Sequence, residues 1–359
     1  MNTETKIGFK QFRMDGCNSF ILYDLSSKEA LIIDPKLHVI EDYSEYILQL
    51  GLRPVVVIDS HIHADHFSAS CFFRDQYGCD IAMASATSSL RPNKKLVQGD
   101  FVSVGAVELK VMETPGHTPD SLSFSGRGMV FTGDTLFIGS SGRTDFPGAS
   151  ALMQWESIHR SIGSLPSDTI VMPGHDYSGF TFSLLGVEKE KNPHWMPNDK
   201  DKFVTMKNSE ILATAGLGIQ EMLDFNRQAR PSSKVAVGGG CATACGVPVK
   251  DVGRVKSMNV DAFQKVLVAD SAGSGALFID VREPGEFVAG HIPGTVNIPL
   301  SELSLRVSEF SRQSTIYFTC GSGSRSALAA KTFDYLNFAD VYNISGGFRS
   351  WVIQRLPVG

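Results

Sequence analysis

The sequence predicts an α/β protein that is built from two domains. Short apolar runs rich in β-branched residues, such as residues 54–58, indicate buried strands, and amphipathic stretches such as residues 39–51 indicate helices between them. The 359 residues are enough for two or three domains. A glycine-rich stretch at residues 238–246 interrupts this pattern, and the residues that follow it predict a linker.

The elements of the first domain follow from apolar periodicity and from the turn residues between the runs. A hairpin is predicted from strands at residues 18–25 and 29–34. Further strands are predicted at residues 54–58, 81–84, 101–104, 107–113, 121–125, 129–132 and 169–172. Helices are predicted at residues 39–51, 67–76, 151–163 and 209–227.

Seven potential metal ligands follow four of these predicted strands. They are His61, His63, Asp65, His66, His117, Asp134 and His175. Imidazole and carboxylate groups at this density indicate a transition-metal site, and the carboxyl ends of strands are common places for such sites. These turns contain no cysteine, which argues against a structural zinc site of the cysteine type.

The ligand motifs resemble those of a known superfamily. In order, they read His-x-His-x-Asp-His, Gly-His-Thr, Gly-Asp and Gly-His-Asp. This order resembles the metallo-β-lactamase superfamily over roughly residues 9–197. The resemblance implies an αββα sandwich with the metal site along one edge.

Composition excludes several classes of function. The formal net charge is −5, with 42% hydrophobic and 20% charged residues, so neither nucleic acid nor an anionic membrane is an expected partner. No apolar run has the length of a membrane span, and the N-terminus lacks the core of a signal peptide. Six cysteines in a chain of this length do not indicate a disulfide framework, so we expect a reducing cytoplasm. The sequence does not determine the oligomeric state, and a homo-oligomer is one alternative.

Substrate-binding candidates lie in the loops next to the ligand turns. Arg143 is placed to hold an anionic substrate group, although it could instead pair with Asp145 and pin its own loop. Tyr177 and Phe180 are placed to line the mouth of the metal site, or else to serve as core aromatics.

Two cysteines in the glycine-rich stretch are a weaker signal. Cys241 and Cys245 are four residues apart. A second metal site or a redox pair is conceivable, but free or buried thiols are favoured because two cysteines alone are a weak indication of either.

The second domain has its own pattern of strands, helices and a reactive loop. Strands are predicted at residues 276–280, 315–318 and 341–344, and helices at residues 259–269 and 326–336. Cys320 lies between a strand and a helix N-terminus, where loop N–H groups and the helix dipole lower the pKa of a thiol. The loop that follows consists of Gly321, Ser322, Gly323, Ser324 and Arg325.

This domain resembles a single rhodanese (sulfurtransferase) domain over about residues 258–357. The motifs Asp-Val-Arg, Gly-His-Ile-Pro-Gly and the short loop from Cys320 to Arg325 carry the resemblance, and Thr295 stands where alanine is usual. The resemblance implies that Cys320 accepts sulfur and passes through a cysteine persulfide. The expected domains are therefore residues 1–247, a linker at 248–257, and a rhodanese domain at 258–359.

The combination resembles a persulfide dioxygenase–rhodanese fusion. The segments at residues 142–146 and 175–181 resemble the persulfide dioxygenase branch, and the fused domain handles sulfane sulfur. The resemblance implies one Fe(II) per chain, held by His61, His117 and Asp134 with open positions for sulfur and O2. The remaining ligands then surround this centre or form a second metal position; they are His63, Asp65, His66 and His175.

The implied reaction oxidises a thiol persulfide with O2 to sulfite and a thiol. The rhodanese domain would then move sulfur between thiosulfate, sulfite and the thiol. Glutathione, coenzyme A or another thiol is the carrier; Ala244 stands where glutathione-using relatives carry an arginine, for which Arg227 or Arg230 could compensate.

Two alternatives stay open on the sequence. A thiol-ester hydrolase of the glyoxalase II type would use two zinc ions in the same ligand frame. A non-enzymatic sulfur sensor or carrier would use both domains as binding modules.

Overall fold

The structure, a computed structural model, describes residues 7–195, 199–210, 219–229, 255–270 and 275–359. Tertiary contacts divide the chain into two units. The first consists of Met1–Tyr177 and Leu184–Val249, and the second of Ser178–Ser183 and Lys250–Gly359. The linker predicted at residues 248–257 lies mostly outside the described residues and stays a prediction.

The first unit contains two six-stranded sheets. The first sheet has the order β1-β2-β3-β4-β5-β6, and its strands are β1 (Ile7–Met14), β2 (Cys17–Asp24), β3 (Glu29–Ile33), β4 (Arg53–Ile58), β5 (Asp80–Ala84) and β6 (Lys94–Leu96). The hairpin predicted near residues 18–34 corresponds to β2 and β3, which pair antiparallel. From β3 to β6 the strands are parallel, so their carboxyl ends lie at one edge of the sheet.

The second sheet is mostly antiparallel. Its order is β12-β11-β10-β9-β8-β7, and its strands are β7 (Phe101–Val104), β8 (Val107–Glu113), β9 (Leu122–Gly126), β10 (Met129–Gly133), β11 (Ile170–Pro173) and β12 (Ser183–Leu184). Strands β10 and β11 pair in parallel. The turns after them, which begin with Asp134 and Gly174, therefore start at the same edge.

Aromatic residues fill the space between the two sheets. The ring of Phe20 on β2 lies 5.0 Å from that of Phe131 on β10, and the ring of Phe9 on β1 lies 6.3 Å from Phe131. All three side chains are buried, and burying a phenylalanine stabilises a fold by roughly 1.5–3 kcal/mol. The sheets thus pack face to face as the predicted sandwich requires.

Helices cover the outer faces of this sandwich. They are α1 (Ile40–Leu50), α2 (Ser70–Tyr77), α3 (Ala151–Glu156), α4 (Leu185–Lys191), α5 (Lys200–Ser209) and α6 (Ile219–Arg227). Tyr43 and Ile47 of α1 pack on the first sheet. Phe203 of α5 joins Val130 and Val171 on the second sheet. Residues 209–227 were predicted as one helix; the structure has the end of α5 and the whole of α6 there, and residues 211–218 lie outside the described part.

Helices α1 and α2 each end at a glycine. Gly51 and Gly78 follow their last residues with φ values of 62° and 73°. This left-handed conformation is unfavourable for residues with a Cβ, which is why glycine commonly ends a helix.

The second unit is built on a five-stranded parallel sheet. Its order is β13-β17-β16-β14-β15, and its strands are β13 (Lys256–Met258), β14 (Leu277–Asp280), β15 (Val296–Asn297), β16 (Thr315–Thr319) and β17 (Asp340–Ile344). Its helices are α7 (Val260–Ala269), α8 (Pro284–Val288), α9 (Leu303–Arg306), α10 (Ser324–Tyr335) and α11 (Gly347–Ile353). Phe263, Tyr317 and Trp351 lie in one apolar core. Among the described residues of the whole chain, no helix is both long and apolar enough to cross a membrane.

Candidate metal centre and reactive cysteine loop

Three of the predicted ligands meet at the edge of the sandwich. His61 follows β4, His117 follows β8 and Asp134 follows β10. One potential ligand atom from each lies within 4.8 Å of the other two, and all three residues are buried. His117 Nε2 lies 3.6 Å from Asp134 Oδ2. Two imidazoles and one carboxylate in this arrangement are a donor set that suits ferrous iron.

Hydrogen bonds fix which ring nitrogens face the centre of this triad. His117 Nδ1 donates to the carbonyl oxygen of Arg143 at 2.7 Å, which leaves Nε2 with a lone pair. The Ser60 hydroxyl donates to Asp34 Oδ2 at 2.9 Å, so it accepts from His61 Nδ1 at 3.0 Å. Both histidines therefore present an unprotonated Nε2, which is the form that binds a metal.

Two atoms of the triad are buried without a hydrogen-bond partner. They are His61 Nε2 and Asp134 Oδ2. Leaving a buried polar atom unsatisfied costs about 1–3 kcal/mol. A cation bound among the triad would satisfy both atoms, so the residues present fit a metal ion.

The charge state of the triad agrees with this role. Burial and the neighbouring His63 lower the pKa of His61 to about 3, so its ring is neutral. Burial alone would favour a protonated Asp134, but His175 outweighs it and holds the pKa of that carboxyl well below its usual range. The triad thus offers neutral imidazoles and an ionised carboxylate, as metal binding requires.

His175 joins two carboxylates instead of facing the triad with a free nitrogen. Its Nδ1 donates to Asp134 Oδ1 at 2.8 Å, and its Nε2 donates to Asp65 Oδ2 at 2.9 Å. Burial opposes the charged ring, but the two carboxylates outweigh burial and raise the pKa of His175 to about 10. His175 therefore orients Asp134, whose other oxygen, Oδ2, faces the triad.

A second ligand group lies beside the triad. His63, Asp65 and His66 also have potential ligand atoms within 4.8 Å of one another. His63 Nε2 bonds Asp34 Oδ1 at 3.2 Å, and His66 Nδ1 bonds Asp65 Oδ2 at 2.9 Å. Burial disfavours a charged His63, but Asp34 outweighs it and raises the pKa of His63 to about 9. His63 Nδ1 and His66 Nε2 are buried without a hydrogen-bond partner, so this group also keeps atoms that a metal ion could use.

Asp34, Ser60 and Asn226 support the site, and sequence reasoning missed all three. Asp34 also accepts from the backbone N–H of Ser60 at 2.6 Å, across 26 residues of chain. Asn226 of α6 donates to the carbonyl oxygens of His63 and His66 at 2.8 and 2.7 Å. The sequence showed only that Asp34-Pro35 ends a predicted strand, and this gave no indication that Asp34 bonds Ser60.

The loop after Asp134 is pinned by its own residues. Arg143 bonds both carboxylate oxygens of Asp145, at 2.5 and 2.6 Å, and lies over the ring of Phe146. The buried Gln154 donates to the carbonyl oxygens of Thr135 and Gly142. The pairing of Arg143 with Asp145 is the alternative that the sequence left open, and a substrate role for Arg143 stays a prediction.

Tyr177 and Phe180 have different surroundings. The ring of Tyr177 stacks on that of His175 at 5.6 Å, beside the ligand cluster. Phe180 belongs to the second unit, where its fully buried ring lies 4.5 Å from that of Tyr335. Phe180 therefore has the core packing that was the alternative to a place at the mouth of the metal site.

Three of the cysteines, Cys71, Cys79 and Cys320, are free and buried. Cys241, Ala244, Cys245 and Arg230 lie outside the described residues.

In the second unit, Cys320 has the predicted position between β16 and α10. Its Sγ accepts from the backbone N–H of Gly323 at 3.1 Å and from the hydroxyl of Ser326 at 3.4 Å. Burial would raise the pKa of this thiol, but hydrogen bonds from Ser326, Ser322 and Gly323 outweigh burial and lower it. Gly323 has a φ of 98°, which allows the tight curl of the loop. The arrangement stabilises a thiolate nucleophile.

Arg325 lies at the same loop but is paired. Both of its terminal nitrogens bond the carboxylate of Glu286, at 2.6 and 2.7 Å. The sequence placed Arg325 at the end of the loop and did not predict this partner.

Replacing His175 with asparagine is expected to weaken metal binding by about 10- to 100-fold, because an orienting partner of the ligand Asp134 is lost. The number of metal ions per chain is expected to stay the same. Anaerobic equilibrium dialysis with Fe(II) measures both quantities. His159→Asn is the control. It makes the same substitution at a histidine whose ring nitrogens contact the carbonyl oxygens of Trp155 and Trp195 and not Asp134. A lower number of bound ions in His175→Asn would show that His175 is itself a ligand.

Comparison with known proteins gives the same two parts. Residues 13–175 match the metallo-beta-lactamase superfamily, and residues 264–354 match the rhodanese-like domain. The persulfide dioxygenase ETHE1 of human mitochondria is 36% identical over 210 residues, which are 58% of this chain and 80% of the human protein. Mouse ETHE1 is 34% identical over 206 residues, 56% of this chain and 81% of the mouse protein.

Solved structures extend the comparison. The crystal structure of ETHE1 from Myxococcus xanthus matches with a TM-score of 0.59 and 31% identity, over 61% of this chain and 98% of that one. A metallo-beta-lactamase from Staphylococcus aureus matches with a TM-score of 0.58 over 96% of this chain and 100% of its own, at 24% identity, which shows the fold alone. The chain therefore belongs to the metallo-beta-lactamase superfamily, among the relatives of the ETHE1 persulfide dioxygenases, and carries a C-terminal rhodanese-like domain.

Proposed function

We propose that the first domain is an iron-dependent persulfide dioxygenase and that the second domain transfers sulfane sulfur through Cys320. The observation that supports this most is the buried triad of His61, His117 and Asp134, in a chain similar to ETHE1. The dizinc thiol-ester hydrolase is less well supported. Its second metal could use the group of His63, Asp65 and His66, but the relatives that this chain is similar to are persulfide dioxygenases.

The proposed oxidation takes one thiol persulfide, one O2 and one water to one thiol, one sulfite and two protons. His61, His117 and Asp134 would hold the ferrous iron, which would supply the redox chemistry between the outer sulfur and O2. Burial lowers the pKa of both histidines and keeps them neutral, and His175 keeps Asp134 ionised. Phe146, whose ring lies 5.4 Å from that of His117, places an apolar group beside the triad.

The proposed sulfur transfer begins with the thiolate of Cys320. The thiolate attacks the outer sulfur of thiosulfate, the S–S bond of thiosulfate breaks, and sulfite leaves with the bonding electron pair. Cys320 then carries a persulfide. A thiol or sulfite attacks the outer sulfur of this persulfide, the S–S bond breaks, and the thiolate of Cys320 leaves. The Gly323 N–H and the Ser326 hydroxyl stabilise negative charge on the sulfur of Cys320. The direction depends on the concentrations of thiol, sulfite and thiosulfate.

The two reactions share intermediates of the same chemical class. The oxidation releases sulfite, which is an acceptor for sulfane sulfur, and the transfer to a thiol produces a persulfide, which is the substrate of the oxidation. We propose glutathione, coenzyme A or another small thiol as carrier. Arg227, the candidate to replace the arginine that is missing at Ala244, lies at the end of α6, and its Nη1 is 3.7 Å from Asp224 Oδ1.

Oxygen uptake by protein purified anaerobically and loaded with Fe(II) tests this proposal. Addition of glutathione persulfide or coenzyme A persulfide is expected to consume O2 and to release sulfite in equal amounts. The carrier is the thiol whose persulfide gives the higher kcat/KM. Absence of uptake with every persulfide, together with thiol-ester cleavage by the zinc-loaded protein, would contradict the dioxygenase and favour the hydrolase.

A further inference from the structure

The mouth of the Cys320 loop contains a fixed ion pair. Arg325 on the first turn of α10 gives both terminal nitrogens to the carboxylate of Glu286 on α8. A Cβ added at Gly321 would lie 3.6 Å from Arg325 Nη2, so the guanidinium lies directly beside the loop that holds Cys320. An anion that approaches Cys320 therefore meets Arg325 with its guanidinium already bound to Glu286.

Glu286 is held in place by a second interaction. Its Oε2 also accepts from the backbone N–H of Glu283 at 3.1 Å, as part of the capping box that starts α8. The hydrogen bond from Arg325 lowers the pKa of Glu286, so the carboxylate is charged at neutral pH. Its negative charge is therefore a permanent part of the loop mouth.

The other nearby arginine, Arg282 of the Asp-Val-Arg motif, is committed to partners inside the domain. Arg282 is buried and bonds Asp280 through Nε and Nη2. Its Nη2 also donates to the carbonyl oxygen of Gly290. Arg282 therefore serves the core of the domain, and Arg325 is the better placed of the two to bind an anion at the loop.

We propose that Glu286 sets the donor specificity of sulfur transfer by occupying the guanidinium of Arg325. A dianionic donor such as thiosulfate has to displace a carboxylate and approach its negative charge, whereas a donor with less charge at the reacting sulfur does not. The pair thus favours thiol persulfides over thiosulfate as the source of sulfur. This inference rests on the proposed sulfur transfer through Cys320.

The variant Glu286→Gln separates charge from structure. Glutamine keeps the size of the side chain and an oxygen that accepts from the Glu283 N–H and from Arg325, but it removes the negative charge. The KM for thiosulfate, measured with cyanide as acceptor, is expected to fall about three- to tenfold with little change in kcat. A KM that stays unchanged or rises overturns the inference, since Glu286 would then be neutral or helpful to anion binding.

A matched control lies in the same unit. Arg306 and Glu309 form a similar pair with exposed fractions of 39% and 54%, against 35% and 42% for Arg325 and Glu286. Glu309→Gln also removes one negative charge but not at the loop. Its KM for thiosulfate is expected to stay within about twofold of the unmodified protein. An equal fall in both variants overturns the inference, because the change in net charge alone would then explain the lower KM.

A second readout does not depend on turnover. The rates at which anionic iodoacetate and neutral iodoacetamide alkylate Cys320 are measured by peptide mass mapping. The ratio of the first rate to the second is expected to rise about threefold or more in Glu286→Gln. If the unmodified protein shows no sulfur transfer, the proposed function is contradicted. The ratio of alkylation rates would still show whether Glu286 hinders the approach of an anion to Cys320. An unchanged ratio overturns the inference even where transfer is found.

Discussion

Replacing His117 with alanine is expected to lower persulfide-dependent O2 uptake by more than about 100-fold and to remove most of the bound iron. The Nε2 of His117 is one of three ligand atoms in the triad, and alanine leaves an open cavity in its place. Sulfur transfer is expected to stay within about twofold, because Cys320 lies in the other unit and needs no metal. Metal analysis, an oxygen electrode and a thiosulfate–cyanide assay measure the three quantities on one sample.

His63→Ala is the informative comparison for this variant. His63 lies in the second ligand group and bonds Asp34. If the triad alone holds the metal, His63→Ala keeps one iron per chain, although its activity falls because the turn loses a support. If the unmodified protein binds two ions per chain and His63→Ala binds only one, both groups bind metal.

Replacing Cys320 with serine is expected to abolish sulfur transfer, with a loss of more than about 1,000-fold, and to leave O2 uptake within about twofold. A serine hydroxyl is not ionised near neutral pH and cannot form a persulfide. The hydrogen bonds from Gly323 and Ser326 have room to remain, so the loop is expected to keep its shape. Thiosulfate–cyanide turnover and an oxygen electrode measure the two activities.

Cys79→Ala is the control for this variant. Cys79 is free and buried, and burial raises the pKa of its thiol to about 12, so it is not a nucleophile at neutral pH. Both activities are expected to survive its replacement. Sulfur transfer that persists in Cys320→Ser would mean that another thiol accepts the sulfur, and would contradict the proposed mechanism.

The parts of the site that could be predicted lie at the ends of predicted strands. The turn from Ser60 to His66 follows a buried strand, and the carboxyl ends of strands meet at one edge of a sheet, so the seven ligands were expected together there. The choice of His61, His117 and Asp134 among them came from the family resemblance, and the structure brings these three together. The loop from Cys320 to Arg325 is one short segment after a strand.

The parts that could not be predicted depend on contacts between distant segments. Asp34 reaches Ser60 across 26 residues, and His175 reaches Asp65 across 110. The partner of Arg325 is 39 residues away in Glu286. Each of these pairs depends on side-chain directions at the surfaces where elements pack, and strand or helix periodicity does not specify them. The same reason left two alternatives open for Arg143 and for Phe180.

Anaerobic titration of the metal-free protein with Fe(II), followed by O2 uptake with a saturating persulfide, tests the central claim most directly. The triad of His61, His117 and Asp134 predicts that activity rises linearly and stops rising at one Fe(II) per chain. Sulfite release is expected to follow the same line. Activity that appears only as a second equivalent binds, or that never appears with iron while zinc supports thiol-ester cleavage, would contradict a single-iron persulfide dioxygenase.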